Sequence, residues 1–520
     1  MADSTAFSSS GEDAIARAVA LDASEARSTT NLSPSEFAEY YEIPQTAEVI
    51  RSSGFKRTAL QFPDELLHDS VPIYRRLKRE IDEGQELYVL ADTSYGSCCA
   101  DEVAAQHVDA DAMIHYGHAC MSKTYRLPVI YVFGKKQIDI DDCVSKLVAS
   151  LRSSDFLSDS TPHKNVVFRH DVAYSHQADA IADTLRDVLC ADNVTVSYSP
   201  IPRRLDPSPS PPHTDTAQSN TETNGSSVVA HTINSPAESD SPILYVGPSS
   251  LHLTNLIMTH SSTPIHSYDP TTRETQLEST RTNKLLMRRY GVVQKARDAD
   301  VFGILVGTLG VASYLPLITH LRQTLKRAHK KSYTISVGKL NPAKLANFME
   351  IECFVLVACP ENSLIEAKDF FRPIVTPFEL QVALQSEPQW TGRYVLDFDQ
   401  LLAEGEAGAE DDAVSKGAAD GEEDLDRPMF SLVTGKYRHA RRYGDGSEVT
   451  KSDVTSGSSA VIIRNQDGTV ATLKDSAAGE FLQSRTFRGL ETRVGLDEPS
   501  YLEQGRSGIA KGYGDDHGRE

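Results

Sequence analysis

The apolar positions of this chain fall in short runs separated by helical patterns. TALQF (58–62), LYVLAD (87–92), AMIHYG (112–117) and VIYVF (129–133) read as buried strands, with helices at Val71–Ile81 and Asp101–Val108 between them. The pattern restarts with NVVFRHDVAY (165–174), a helical stretch His176–Leu189, VTVSYS (194–199), ILYVG (243–247) and PIHSYD (264–269). A third round opens with the amphipathic stretch Arg281–Ala299. It continues through VFGILVG (301–307), YTISVG (333–338), FVLVA (354–358) and IVTPFEL (374–380). Strands alternating with helices imply parallel sheets covered by helices. The expected fold is α/β, with three similar parallel-sheet α/β domains that repeat an architecture without repeating a motif.

The polar stretches place the boundaries. Residues 1–35 are Ser/Ala/Asp-rich and read as a disordered N-terminus. Residues 203–241 are rich in Pro, Ser, Thr and Asn and read as a disordered insertion in a surface loop. The domains are therefore expected at 36–150, 151–280 and 281–402. Beyond them, 403–520 reads as an acidic linker and a mostly irregular tail, with FSLVTGKY (430–437) and a helix near 477–495 as exceptions.

Composition narrows the function. A net charge of −21 argues against a nucleic-acid surface, although ten acids against Lys416 alone between Glu404 and Asp426 inflate it. No apolar run approaches the roughly 18 residues of a membrane span. The N-terminus lacks the apolar core of a secretory signal, so a cytoplasmic protein is expected. Seven cysteines, an odd number, do not make a disulfide framework. In a reducing compartment, clustered cysteines more often bind metal.

Three cysteine sites share one kind of address. Cys98 and Cys99 lie between the strand ending near Asp92 and the helix starting near Asp101; Cys120 and Cys359 each follow a strand directly. The carboxyl edge of an open α/β sheet is where ligands collect. Thiolates are the usual ligands of iron–sulfur clusters. Spacing alone leaves two readings open, a metal site or inert buried thiols. Cys143, Cys190 and Cys353 read as inert and buried. His115, His118, His170 and His176 read as structural, and Gly307, Gly310 and Gly338 as turn residues.

Longer motifs add a resemblance. DTSYGSCCADEVAAQHVDADAMIHYGHAC (92–120), VGTLGVASYLPLI (306–318), SYTISVGKLNPAKLANF (332–348) and VLVACPENSLIEAKDFFRPIVTPFELQVAL (355–384) resemble the eukaryotic diphthamide biosynthesis protein 2 family. So does EFLQSRTFRGLETRVG (480–495). The resemblance implies a subunit of the radical transferase that takes the first step of diphthamide synthesis. A 3-amino-3-carboxypropyl group moves from S-adenosylmethionine to a histidine of translation elongation factor 2. The implied cofactor is a [4Fe-4S] cluster at the centre of the three domains. The implied partners are diphthamide biosynthesis protein 1, elongation factor 2 and an electron-donor protein.

In the sister subunit of that family each domain gives one cysteine. Cys98 matches the first-domain ligand and Cys359 the third-domain ligand. The second-domain position falls in LYVGPSSLHL, which has no cysteine, so Cys120 is expected to complete the trio. That departure implies a cluster that relays electrons, with S-adenosylmethionine cleaved at the sister subunit and no catalysis by this chain alone. Adjacent cysteines on a turn point differently, so Cys98 is the expected ligand and Cys99 packs or stands as an alternate. A scaffold that stabilises the sister subunit and docks elongation factor 2 is the rival reading. A self-sufficient homodimer fits the missing cysteine poorly.

Overall fold

The computed structural model describes residues 32–90, 96–154, 156, 164–207, 241–365, 369–385, 390–405, 429–439, 443, 463–464 and 470–471. The chain divides into two compact units, 1–452 and 453–520. In the smaller unit the described residues form one antiparallel pair, Ile463–Arg464 with Val470–Ala471.

The larger unit is built from three sheets. β1 (Arg57–Gln61), β2 (Glu86–Val89), β3 (Ala112–Tyr116) and β4 (Val129–Val132) pair in parallel in the order β2-β1-β3-β4. The chain then forms β5 (Lys164–His170) and β6 (Val194–Tyr198), and sends β7 (Arg204–Leu205) back to pair antiparallel with β4. It re-enters the second sheet as β8 (Ile243–Val246), β9 (Ile265–Asp269) and β10 (Glu274–Leu277). The order there is β10-β9-β8-β5-β6, parallel except at β10. The third sheet is all parallel: β11 (Val301–Val306), β12 (Lys331–Ser336), β13 (Cys353–Val357) and β14 (Ile374–Val375) in the order β12-β11-β13-β14.

Each round thus repeats one topology: its second strand lies outside its first, and its third and fourth lie on the other side. Strand order reverses between the first and third strands, and a crevice opens beyond their carboxyl ends.

The apolar runs become strands because both faces are covered. Leu60, Ile114 and Ile130 face helices Ile43–Ser53 and Ser70–Glu80, while Ala59, Met113 and Val129 face the other side with Ala105. Truncating a fully buried leucine such as Leu60 to alanine costs about 2–5 kcal/mol. In the third sheet, Phe302, Ile304, Val355 and Val357 pack against helices Ser279–Arg297 and Tyr314–Arg327. The same core takes in Cys98, Cys99 and Cys359, so the first and third sheets meet at the cysteines. Among the described residues, no helix is long and apolar enough to cross a membrane.

Several expected boundaries move. The first-domain boundary at 150 falls inside helix Ile140–Arg152, whose Cys143, Val144, Leu147 and Leu151 belong to the core of the second sheet. Helix Pro34–Tyr40 begins before the expected start at 36, because Ser33 and Glu36 form a reciprocal capping box. Within 203–241, expected to be a disordered insertion, β7 completes the edge of the first sheet. The expected strand 374–380 stops at Val375: Thr376 and Glu379 cap a helix over Pro377–Leu384, and Pro377 has no N–H for a ladder. Met429–Phe430 and Tyr437–Arg438 form a hairpin that extends FSLVTGKY by one residue at each end. Cys190, expected to be buried, is exposed at a helix end. The expected helix near 477–495 lies outside the described residues.

Candidate metal centre

The loops that follow the strands of the first and third sheets are fixed by hydrogen bonds to their own backbones. Gln61, at the end of β1, donates Nε2 to Cys99 O at 2.8 Å and accepts from Asp101 N at 2.8 Å. His115 Nε2 donates to Ser97 O at 3.1 Å, and burial holds that imidazole neutral, its pKa down to about 4. Cys120 N donates to Cys98 O at 3.0 Å, which ties the two cysteine loops together. The buried Glu102 carboxylate accepts the N–H groups of Arg126 and Leu127, each at 2.8 Å, and so anchors the chain beyond Cys120. Met121 sits in the left-handed region at φ 53°, a strain that such a network sustains.

Cys359 enters from the third sheet. Pro360 starts the one-turn helix Pro360–Ser363, and the Ser363 hydroxyl bonds Ala358 O at 3.0 Å and Cys359 O at 2.9 Å. Gly310 explains the loop after β11: a β-carbon there would lie 2.0 Å from Ala100 O. Only a glycine lets this loop press against the loop that carries Cys98 and Cys99.

Four thiols converge as a result. The Sγ atoms of Cys98, Cys99, Cys120 and Cys359 all lie within 4.8 Å of one another. Cys98 is 3.6 Å from Cys359 and 4.0 Å from Cys99, and Cys120 is 3.8 Å from Cys99. Their titration is shared. Hydrogen bonds from the neighbouring thiols, Cys359 first, and from Ser122 hold the Cys120 thiol well below its usual range. Cys98, Cys99 and Cys359 are pushed up, chiefly by their bonds to Cys120, since a second thiolate would face the first in a buried site. A cationic centre among the sulfurs would remove that penalty.

A polar shell surrounds the thiols. Asn362 Nδ2 donates to Cys98 Sγ at 3.1 Å and to Cys359 Sγ at 3.4 Å. The buried Glu361 carboxylate bonds His118 Nε2 at 2.7 Å and His252 Nδ1 at 3.0 Å, joining one residue from each of the three rounds. Burial pulls the His118 pKa down most strongly of any single effect, yet the Glu361 bond and the negative charges of Glu361, Asp171 and Cys120 together outweigh it and lift it to about 9. Beside Cys98 opens a cavity of about 460 Å³, lined by Gly96, His118, Lys136, Asp171, Ser250 and Asn362 among others. The turn after β8 brings Pro248 and Ser250 to this cavity and no thiol.

Proteins of known name are similar to this chain over nearly its whole length. The diphthamide synthesis protein family matches residues 62–395. The chain belongs to the diphthamide synthesis protein family. Within it, subunit 2 of the 2-(3-amino-3-carboxypropyl)histidine synthase of Danio rerio is 40% identical over 98% of this chain and 97% of its own. The Schizosaccharomyces pombe protein of that description is 39% identical over 92% and 91%. The crystal structure of Dph2 from Pyrococcus horikoshii with a 4Fe-4S cluster is 20% identical, with a TM-score of 0.48, over 68% of this chain and 92% of that one.

The structure brings together the three expected residues, Cys98, Cys120 and Cys359, and adds Cys99, whose sulfur stands as close as theirs. The sequence made Cys99 a packing residue or an alternate ligand, on the expectation that adjacent cysteines on a turn point differently; on this turn their sulfurs lie 4.0 Å apart. It also passed over Glu361, Asn362 and His252. Glu361 and Asn362 follow Cys359 within three positions, which was the available signal. Cys143 is buried and apart, its thiol pushed up to about 12 by burial, and Cys353 lies within β13.

The donor set fits a soft, thiophilic centre in this member of the family. All four donors are sulfur, and no carboxylate or imidazole lies among them. The spacing is close: a single tetrahedral ion about 2.3 Å from each sulfur would set the sulfurs about 3.8 Å apart.

Proposed function

We propose that this chain is the accessory subunit of the heterodimeric radical transferase of diphthamide synthesis. The complex would move a 3-amino-3-carboxypropyl group from S-adenosylmethionine to a histidine of translation elongation factor 2 in the cytoplasm. The relatives named as subunit 2 of the histidine synthase, 40% and 39% identical over nearly the whole chain, support the reaction. The observation that carries this chain's role is the set of four convergent thiols beside a second-round turn, Gly247–Ser250, that contributes none.

In this reading Cys98, Cys120 and Cys359 hold a [4Fe-4S] cluster, with Cys99 as a fourth thiol at hand. Such a cluster supplies one-electron chemistry when bound. Gln61, Glu102 and the Cys120–Cys98 backbone bond keep the thiols in place, and the His118–Glu361–His252 link holds the three rounds together around them. S-adenosylmethionine is cleaved at the sister subunit, diphthamide biosynthesis protein 1, and an electron-donor protein feeds this one.

The sulfur spacing favours a second reading. A closed four-cysteine site for one ion is structural. The chain would then be a scaffold that stabilises the sister subunit and docks elongation factor 2. The test is modification of elongation factor 2, followed by mass spectrometry, with the sister subunit and either wild type or a Cys120→Ala/Cys359→Ala chain. A relay predicts loss with a protein electron donor and recovery with dithionite. Full modification by the double variant with the protein donor would leave the scaffold.

A further inference from the structure

We propose that the Asn362 side-chain amide sets the reduction potential of the iron–sulfur centre by donating N–H···S hydrogen bonds to two of its ligands at once. This rests on the reading that the thiols hold such a cluster. Nδ2 lies 3.1 Å from Cys98 Sγ and 3.4 Å from Cys359 Sγ, so its two hydrogens serve one thiol from the first round and one from the third. Ligating sulfurs are thiolates, which only accept. The amide must therefore present its NH2 and turn its carbonyl oxygen away.

A second residue makes room for this contact. A β-carbon on Gly96 would fall 2.3 Å from Asn362 Nδ2 and 3.8 Å from Cys98 Sγ. The obstructed atom is the end of a rotatable side chain, so a methyl group at 96 displaces the amide sooner than the loop. Gly96 and Asn362 thus form a pair: one donates, and the other leaves the approach open. Asn362 also lines the cavity beside Cys98.

The direction follows from charge. Adding an electron makes the sulfurs richer, and an N–H donor stabilises the richer state more, which raises the potential. Without the amide the centre becomes harder to reduce. Ligation is left to the cysteine thiols, so iron should stay.

The experiment uses the full chain purified anaerobically with its sister subunit: wild type, Asn362→Leu and Gly96→Ala. Iron and acid-labile sulfide per chain are measured first. The midpoint potential of this subunit's centre then follows from a redox titration read by electron paramagnetic resonance, the sister subunit's signal being subtracted. The expected result is wild-type iron and sulfide in both variants, with the midpoint moved to more negative potential in both. Unchanged midpoints with iron retained would overturn the role of Asn362 and leave the cluster reading standing. Loss of iron from both variants would overturn it too, making the amide an assembly residue. A wild-type chain without sulfide would overturn the cluster reading and this inference together.

Discussion

The backbone N–H of Cys120 donates to the carbonyl of Cys98 at 3.0 Å, so the two cysteine loops of the first sheet form one frame. The thiols they carry are placed by the backbone, and Cys359 alone arrives from another sheet. Gly310 against Ala100 O sets that second approach. The centre is a seam between two rounds of one repeated topology.

Gln61 is the side chain on which this frame depends most. It is 1% exposed and satisfies both Cys99 O and Asp101 N. Gln61→Leu keeps the volume and leaves both backbone groups unpaired, at roughly 1–3 kcal/mol each. The midpoint of denaturant unfolding should fall with its slope unchanged, and less iron should be retained. An unaltered midpoint would show that water or a rearranged loop replaces the glutamine.

Glu379 and Arg289 form a buried ion pair under the third sheet. Arg289 Nε donates to Glu379 Oε1 at 2.6 Å, and the Tyr394 hydroxyl donates to the same oxygen at 2.7 Å. Removing one charge strands the other, so Glu379→Ala should cost about 3–5 kcal/mol. Arg289→Met/Glu379→Leu should recover most of that loss, because an apolar pair needs no desolvation. Calorimetric or denaturant midpoints of the single and double variants check both values.

His170 gives the stability a dependence on pH. It is 3% exposed, its Nδ1 lies 2.9 Å from Asp171 O, and burial lowers its pKa to about 4 from an unfolded value near 6.5. The folded imidazole stays neutral where the unfolded one takes a proton. Its contribution is therefore complete above pH 6.5, declines as pH falls toward 4, and is constant below. The slope reaches about 1.4 kcal/mol per pH unit. His170→Phe should flatten the unfolding free energy between pH 6.5 and 4 by that share; parallel curves for the two proteins would contradict it.

Much of this architecture was legible in the sequence, for a physical reason. Strands buried on both faces read as apolar runs, and twelve short runs stand out along the chain; hence β1, β3, β8, β11 and β13 fall where the runs do. What escaped depends on single contacts. The end of β14 is decided by the Thr376–Glu379 cap, the fate of Ile140–Arg152 by which core its apolar face meets, and β7 by a two-residue pairing no pattern announces. The cysteines were found by their place after strands. Asn362 and Glu361 were not, since their role comes from a partner 264 and 243 positions away.

The central claim is that Cys98, Cys120 and Cys359 hold an iron–sulfur cluster, and metal and sulfide content tests it most directly. Iron, zinc and acid-labile sulfide are measured on the chain purified anaerobically on its own, as wild type and as Cys120→Ala and Cys359→Ala. The account predicts about four iron and four sulfide per wild-type chain, with both falling sharply in each variant. One zinc or iron per chain without sulfide, or iron unchanged in the variants, would contradict it.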